Sequence, residues 1–211
     1  MNSDSKLFYD FESSSLTIKT LNPLFCYWDK LFTDTQLKEI VEYCECFDKI
    51  EAKIGGKGLD RDIRKTNISW IEKTDFSTNF IDPIHTTISK LNNTFYNFEL
   101  TKYEQLQYTC YDKLNSKYDF HMDCGFNVEN TMTRKLSCVM LLNDPSEYEG
   151  GDFEVMTNNQ PLKIEFIKGR LIVFPSYILT KNNPFPIMFF ANMETVISML
   201  SAIKHSSANE N

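Results

Sequence analysis

The residues of this chain best placed to do chemistry lie in the run Tyr118-Asp119-Phe120-His121-Met122-Asp123. Successive side chains of an extended strand point to opposite faces, so His121 and Asp123, two positions apart, share one face. An imidazole nitrogen and a carboxylate on one face can hold a cation from two corners and leave its other positions open. By itself the spacing is unspecific, and other patterns carry less. Gly55, Gly56 and Gly58 are followed by no GK[ST] and preceded by no strong strand, so a surface loop is the expectation for 54–62. The six cysteines, Cys26, Cys44, Cys46, Cys110, Cys124 and Cys138, form no CxxC pair, which excludes a zinc ribbon or a dithiol redox motif. Cys110 and Cys138 sit inside apolar runs and read as small core residues.

The elements that must position His121 and Asp123 fall into two halves. The first half predicts helices. Thr33 and Gln36 form a capping box flanked by Phe32 and Leu37, and Leu37, Ile40, Val41, Cys44 and Phe47 then define an apolar stripe. Phe80, Ile84, Ile88, Leu91 and Phe95 predict a second helix, with Pro83 in its first turn. Short strands are expected around Leu16–Leu21, Phe25–Trp28 and Ile63–Ile71. From Phe98 onward strand-like runs dominate: Glu104–Tyr111, Arg134–Leu142, Asp152–Val155, Leu162–Phe166, Leu171–Phe174 and Val196–Leu200. Turn residues such as Asn143-Asp144-Pro145, Gly150-Gly151 and Lys168-Gly169 separate them. The aromatic run Pro184 to Phe190 reads as a core-facing strand bounded by prolines rather than an exposed lid. Helices first and strands afterwards indicate an α+β protein whose second half is a sandwich or jelly roll. We expect one domain over 1–203, with helical support over 1–97 and a β core over 98–203, followed by a polar tail over 204–211.

Composition narrows the partners. The net charge of −7 and the scatter of the 22 basic residues argue against a phosphate-binding groove, so no nucleic-acid partner is expected. No segment is apolar enough to span a membrane, and Met1 to Ser5 lack the apolar core of an export signal. Reduced thiols in a cytoplasmic compartment are the resulting expectation.

The second half resembles the Fe(II)- and 2-oxoglutarate-dependent oxygenases, in particular the prolyl-4-hydroxylase-like proteins and their bacterial and phage PKHD-type relatives. The resembling segments are Tyr103 to Tyr111, Phe120-His121-Met122-Asp123, Arg134-Lys135-Leu136-Ser137, Leu141-Leu142-Asn143-Asp144, Tyr148 to Glu154, and Lys168 to Tyr177, in the family's order and spacing. Trp28 before the capped helix, and Ile63-Arg64-Lys65 leading into Ser69-Trp70-Ile71, are similar to its N-terminal part. The resemblance implies a double-stranded β-helix (jelly roll, cupin-like) with flanking N-terminal helices and a metal at its open end. It implies Fe(II) and 2-oxoglutarate as cofactors, ascorbate as reductant, and hydroxylation of a C–H bond in a prolyl or other side chain, or in a small molecule. His121 and Asp123 are then metal ligands in a His/carboxylate facial set. Tyr111 is expected to line the co-substrate pocket, with Tyr118 near the metal entrance.

Two departures from the family pattern fall together. The family's second histidine follows the run matching Val173 to Leu179, where this chain has Thr180 and Lys181. Further on the family carries a basic residue for the distal carboxylate of 2-oxoglutarate. This chain has Phe189 and Phe190 there, or Glu194 and Thr195 if one residue run is inserted, and no arginine follows Arg170. The remaining histidines, His85 on the second helix and His205 in the tail, are the candidate replacements for the third ligand. A threonine hydroxyl stays protonated and donates weakly to iron. Lys181 is the candidate replacement cation, a flexible point charge. Two readings follow: an active dioxygenase whose third corner is filled by His205, His85 or solvent, and a family member that keeps the fold as a binding module. A third, an active ancestor altered by mutation or frameshift at its C-terminal segment, accounts for the clustering of the departures.

Overall fold

Local capping starts the first helix. In a computed structural model of the chain, which describes residues 23–53, 64–111, 117–124, 132–147, 152–165, 167–182 and 187–196, α1 (Asp34–Glu45) begins at Thr33. The Thr33 hydroxyl accepts from Gln36 N–H, and Gln36 Oε1 accepts from Thr33 N–H, so two end donors are satisfied reciprocally. The strand β1 (Cys26–Trp28) precedes it, and β2 (Ile50–Glu51), β3 (Arg64–Lys65) and β4 (Asn67–Ile71) follow. The expected strand over Ile63–Ile71 is broken at buried Thr66: β3 and β4 belong to different sheets, so the chain turns a corner there.

The second helix differs from expectation. α2 spans Asp75–Leu91 and starts at a Thr74/Ser77 capping box, so Pro83 lies inside it rather than in its first turn. Proline lacks the N–H that would bond the carbonyl four residues back. Burial of Phe80, Ile81, Ile84, Ile88 and Leu91 on the sheet keeps the helix continuous through that gap. A π-helical turn (Asn92–Tyr96) extends it to Asn97, whose left-handed φ of 54° ends it.

The β half contains β5 (Lys102–Tyr103), β6 (Leu106–Cys110), β7 (Lys117–His121), β8 (Met132–Leu141), β9 (Phe153–Met156), β10 (Pro161–Ile164), β11 (Leu171–Pro175), β12 (Thr180–Asn182) and β13 (Ile187–Val196). One sheet runs β1-β11-β8-β13-β6-β4-β2 with β5 joined to β13, and the other runs β10-β9-β12-β7-β3; every pairing is antiparallel. β13 takes in the Ile187–Phe190 part of the aromatic run and Val196, the first residue of the expected final strand, whose positions 197–200 lie outside the described residues. The polar strand β12 carries no apolar alternation by which its sequence would reveal it.

Strand alternation separates two cores. On β11, Leu171 and Val173 face the helices, while Ile172 and Phe174 face the second sheet. β6 divides the same way: Leu106, Tyr108 and Cys110 pack under the helices, which leaves Gln107 and Thr109 on the side facing the second sheet. The inter-sheet core of Tyr111, Val139, Phe153, Val155, Ile172 and Phe174 closes one end of this space. The expected strand at Leu16–Leu21, the glycine loop over 54–62, and His205 with the tail lie outside the described residues. Among the described residues no helix is long and apolar enough to cross a membrane.

Candidate metal and co-substrate site

His121 closes β7, and Asp123 lies just past its end instead of within the strand. The side chains are 9% and 7% exposed, and His121 Nε2 stands 3.1 Å from Asp123 Oδ1. On the other side of the ring, Nδ1 is 2.7 Å from the Asp119 carbonyl oxygen. A carbonyl can only accept, so Nδ1 carries a hydrogen, and Nε2 is the ring nitrogen left to face the Asp123 carboxylate or a cation. Nε2 and Asp123 Oδ2 make no hydrogen bond despite their burial. Two lone-pair donors facing each other at this separation are the arrangement a cation resolves. Ligands about 2.1 Å from an octahedral ion and at right angles to each other stand about 3 Å apart.

The backbone around Asp123 is fixed by β11 and β8. Ser176 O accepts from Asp123 N–H at 2.9 Å and Cys124 N–H at 3.1 Å, while Ser176 N–H donates to Lys135 O. The Ser176 and Ser137 hydroxyls meet at 2.9 Å, both buried. Arg134 donates Nη1–H to Asp123 O at 3.2 Å and grips Glu104 with Nε and Nη2. Burial pushes the Asp123 carboxyl up, but His121, the Ser137 hydroxyl and the Arg134 guanidinium together hold it below the usual carboxylate range. It is therefore ionised and ready to coordinate. The Tyr118 ring stacks on His121 with centroids 3.4 Å apart and planes 13° apart, which fixes the imidazole from its face.

β12 forms the opposite wall. Thr180 is the register partner of His121, and Asn182 that of Tyr118, with a register shift between them. Both residues are fully buried, and Thr180 Oγ1 and both amide atoms of Asn182 make no hydrogen bond. The buried Tyr111 hydroxyl likewise lacks one, and burial raises it well above the ordinary tyrosine range. Buried polar atoms are normally satisfied, so this many orphans in one cleft mark a place where a polar ligand fits. The donor set of imidazole nitrogen, carboxylate and hydroxyl oxygen suits a first-row divalent ion such as Fe(II).

The structure thus gathers His121, Asp123, Tyr111, Tyr118 and Thr180. It does not bring Lys181 to them. That side chain lies on the other face of β12, with Nζ 3.4 Å from Asp119 Oδ1 and 5.6 Å from the Phe120 ring. His85 is also elsewhere, stacked on Tyr103 at 3.8 Å on the helix side of the larger sheet. Among the described residues no group of three or more His, Cys, Asp or Glu side chains is arranged to hold a metal. Sequence reasoning did not single out Asn182, Ser137, Ser176, Arg134 or Arg64. Arg134 and Ser137 carried a signal as members of one resembling motif, Ser176 of another and Arg64 of the N-terminal similarity, while Asn182 carried none.

Comparison with known proteins agrees with this geometry. Residues 106–185 match the model of the 2OG-Fe(II) oxygenase superfamily, a span that holds every residue of the cluster. A PKHD-type hydroxylase of Xylella fastidiosa is 29% identical over 86 residues, 37% of this chain and 37% of the relative. The chain therefore spans about a third of the length of the curated relatives it matches. A prolyl-4-hydroxylase of Pseudomonas putida superposes with a TM-score of 0.65 at 15% identity, covering 81% of this chain and 91% of that one. A prolyl hydroxylase of Trichoplax adhaerens, solved with a peptide fragment of a hypoxia inducible factor oxygen degradation domain, gives 0.64 at 20% identity, covering 81% and 82%. These likenesses show a shared fold. The matched segment holds the paired His121 and Asp123, and over residues 106–185 the chain is similar to the 2OG-Fe(II) oxygenase superfamily.

Proposed function

We propose that this chain is a hydroxylase that uses Fe(II) and 2-oxoglutarate, with 1–203 as one domain whose β core is a double-stranded β-helix. The observation that carries the reading is the buried approach of His121 Nε2 to Asp123 Oδ1 at 3.1 Å, with Asp123 Oδ2 left without a hydrogen bond. His121 and Asp123 would hold the metal, which with 2-oxoglutarate would supply O₂-dependent C–H hydroxylation coupled to decarboxylation to succinate. Asp119 O and the Tyr118 ring hold the imidazole in the ligating tautomer and plane. Ser176 and Arg134 fix the backbone that carries the carboxylate. The Thr180 hydroxyl, on the register partner of His121, would with solvent be the donor available where the family pattern has a second histidine. Exposed Met122, Tyr177 and Leu179 give the adjoining surface an apolar character suited to a prolyl or other aliphatic side chain.

The assay is succinate formation from 2-oxoglutarate with Fe(II), ascorbate and O₂. Turnover above a His121→Ala control is expected, and equal rates in the two proteins contradict the proposal. The weak donor at Thr180 favours a second reading, a binding module without turnover. That reading expects Mn(II) and 2-oxoglutarate to bind while no succinate forms.

A further inference from the structure

Arg64 is placed at the cleft by the register of β3 on β7, where it pairs with Tyr118. Directly paired residues of an antiparallel ladder project from the same face. The guanidinium carbon lies 4.5 Å from the Tyr118 ring centroid, and that ring is 3.4 Å from the His121 ring. The guanidinium therefore lies within about 8 Å of the imidazole, the sum of the two distances. It donates Nη2–H to Gln107 Oε1 at 2.7 Å and Nε–H to Thr66 Oγ1 at 3.2 Å. Gln107 Oε1 also accepts from the Thr109 hydroxyl at 3.2 Å, which orients the amide.

The charge of Arg64 is what these partners leave unanswered. Arg134 is paired with Glu104 and Arg170 with Asp29, each through two nitrogens. Among the described residues Arg64 has hydrogen-bond partners that are all neutral and no carboxylate within ion-pair distance. A half-buried cation with only neutral partners is matched when an anion arrives. The buried Tyr111 hydroxyl lies near it, beside the buried Asn182 amide, and neither makes a hydrogen bond of good geometry. Arg64 is close enough to Tyr111 and Tyr118 that its charge opposes the upward push of burial on both hydroxyls. Gln107 is also the register partner of Phe190, one of the β13 positions at which the sequence lacks a basic residue.

We propose that Arg64 receives the distal carboxylate of the 2-oxo diacid, supplying from the N-terminal strand β3 the cation that β13 lacks, with Asn182 and Tyr111 as further hydrogen-bond partners. This rests on the reading of His121 and Asp123 as the metal centre. An extended five-carbon diacid places its carboxyl carbons about 5 Å apart from standard bond lengths, which fits an acid held by the metal at one end and by the guanidinium at the other.

The test uses the full chain loaded with Mn(II) without O₂, titrated calorimetrically with 2-oxoglutarate and with 2-oxobutyrate, which lacks the distal carboxylate. Mn(II) binding is followed separately by electron paramagnetic resonance. Arg64→Gln is expected to weaken 2-oxoglutarate about tenfold to a hundredfold, the loss of a charge-assisted carboxylate contact, and to leave 2-oxobutyrate and Mn(II) binding unchanged. Arg64→Lys, which keeps the charge without the fork, is expected to recover part of the loss, and it decides by the same ratio if Arg64→Gln does not fold. Unchanged 2-oxoglutarate affinity, or equal loss for both acids, overturns the assignment alone. Absence of 2-oxoglutarate binding to the Mn(II)-loaded parent chain overturns the metal-centre reading and this inference with it.

Discussion

At the scale of single residues, the proposed metal centre has two strong donors and one weak one. His121 is fixed in the ligating tautomer by a backbone carbonyl, and Asp123 is kept ionised by its neighbours against the effect of burial. Replacing either with Ala removes a ligand that no other described side chain supplies, so both variants are expected to lose Mn(II) binding as read by electron paramagnetic resonance. Retention of parent affinity in either variant contradicts the ligand assignment. Thr180 offers the opposite experiment. It faces His121 across the β7–β12 ladder with its hydroxyl buried and unpartnered. Thr180→His puts an imidazole at that corner and is expected to tighten Mn(II) binding at least about tenfold, a modest share of what a full ligand contributes. No tightening in a folded variant places the third corner elsewhere.

At the scale of elements, two features of the N-terminal half and its contacts set what the chain tolerates. Gly169, in the turn before β11, has φ +77°, and a Cβ there would stand 2.9 Å from Leu37 Cδ1 on α1. Gly169→Ala combines left-handed strain with that close approach, and a loss of about 1–2 kcal/mol in urea unfolding is expected. An unchanged midpoint contradicts it. On α2, burial lowers the His85 pKa from 6.5 to about 4, with Asp82 opposing and Lys73 adding to the shift. Between these values the unfolded chain takes up a proton that the folded chain does not. The stabilising contribution is therefore complete above pH 6.5 and is lost as pH falls toward about 4. His85→Gln is expected to flatten stability over that window, and an identical pH profile for the two proteins contradicts the burial account. The same contrast between local and long-range determinants governs what could be read in advance. The start of α1 was legible because Thr33 and Gln36 cap it within one turn. His121 and Asp123 were legible from their two-residue spacing, although Asp123 lies past the end of β7 and its backbone is held by Ser176 O. The start of α2 was not, since Pro83 drew attention from Thr74 and Ser77, and β12 was not, since Thr180-Lys181-Asn182 has no apolar pattern. Arg64, Ser176 and Asn182 reach the cleft only through pairings between distant strands, which no local spacing encodes.

For the molecule as a whole, the sheets and helices act together to carry a site whose own polar atoms are unsatisfied. The helix-side core anchors the larger sheet, while the inter-sheet core of Val139, Phe153, Val155 and Phe174, with Tyr118 packed on it, holds β9 and β7 against it. Ligands that bind only this folded arrangement must stabilise it: at a hundred times Kd, by about 2.7 kcal/mol. A rise in Tm with Mn(II) and 2-oxoglutarate, absent in His121→Ala, is the expected outcome, and equal Tm values with and without the ligands contradict it. The most direct measurement is anomalous scattering from crystals of the chain soaked with Mn(II) and 2-oxoglutarate. The account expects one strong peak about 2.1 Å from both His121 Nε2 and an Asp123 carboxylate oxygen. A fully soaked crystal with no peak there, or with its metal bound elsewhere, contradicts it.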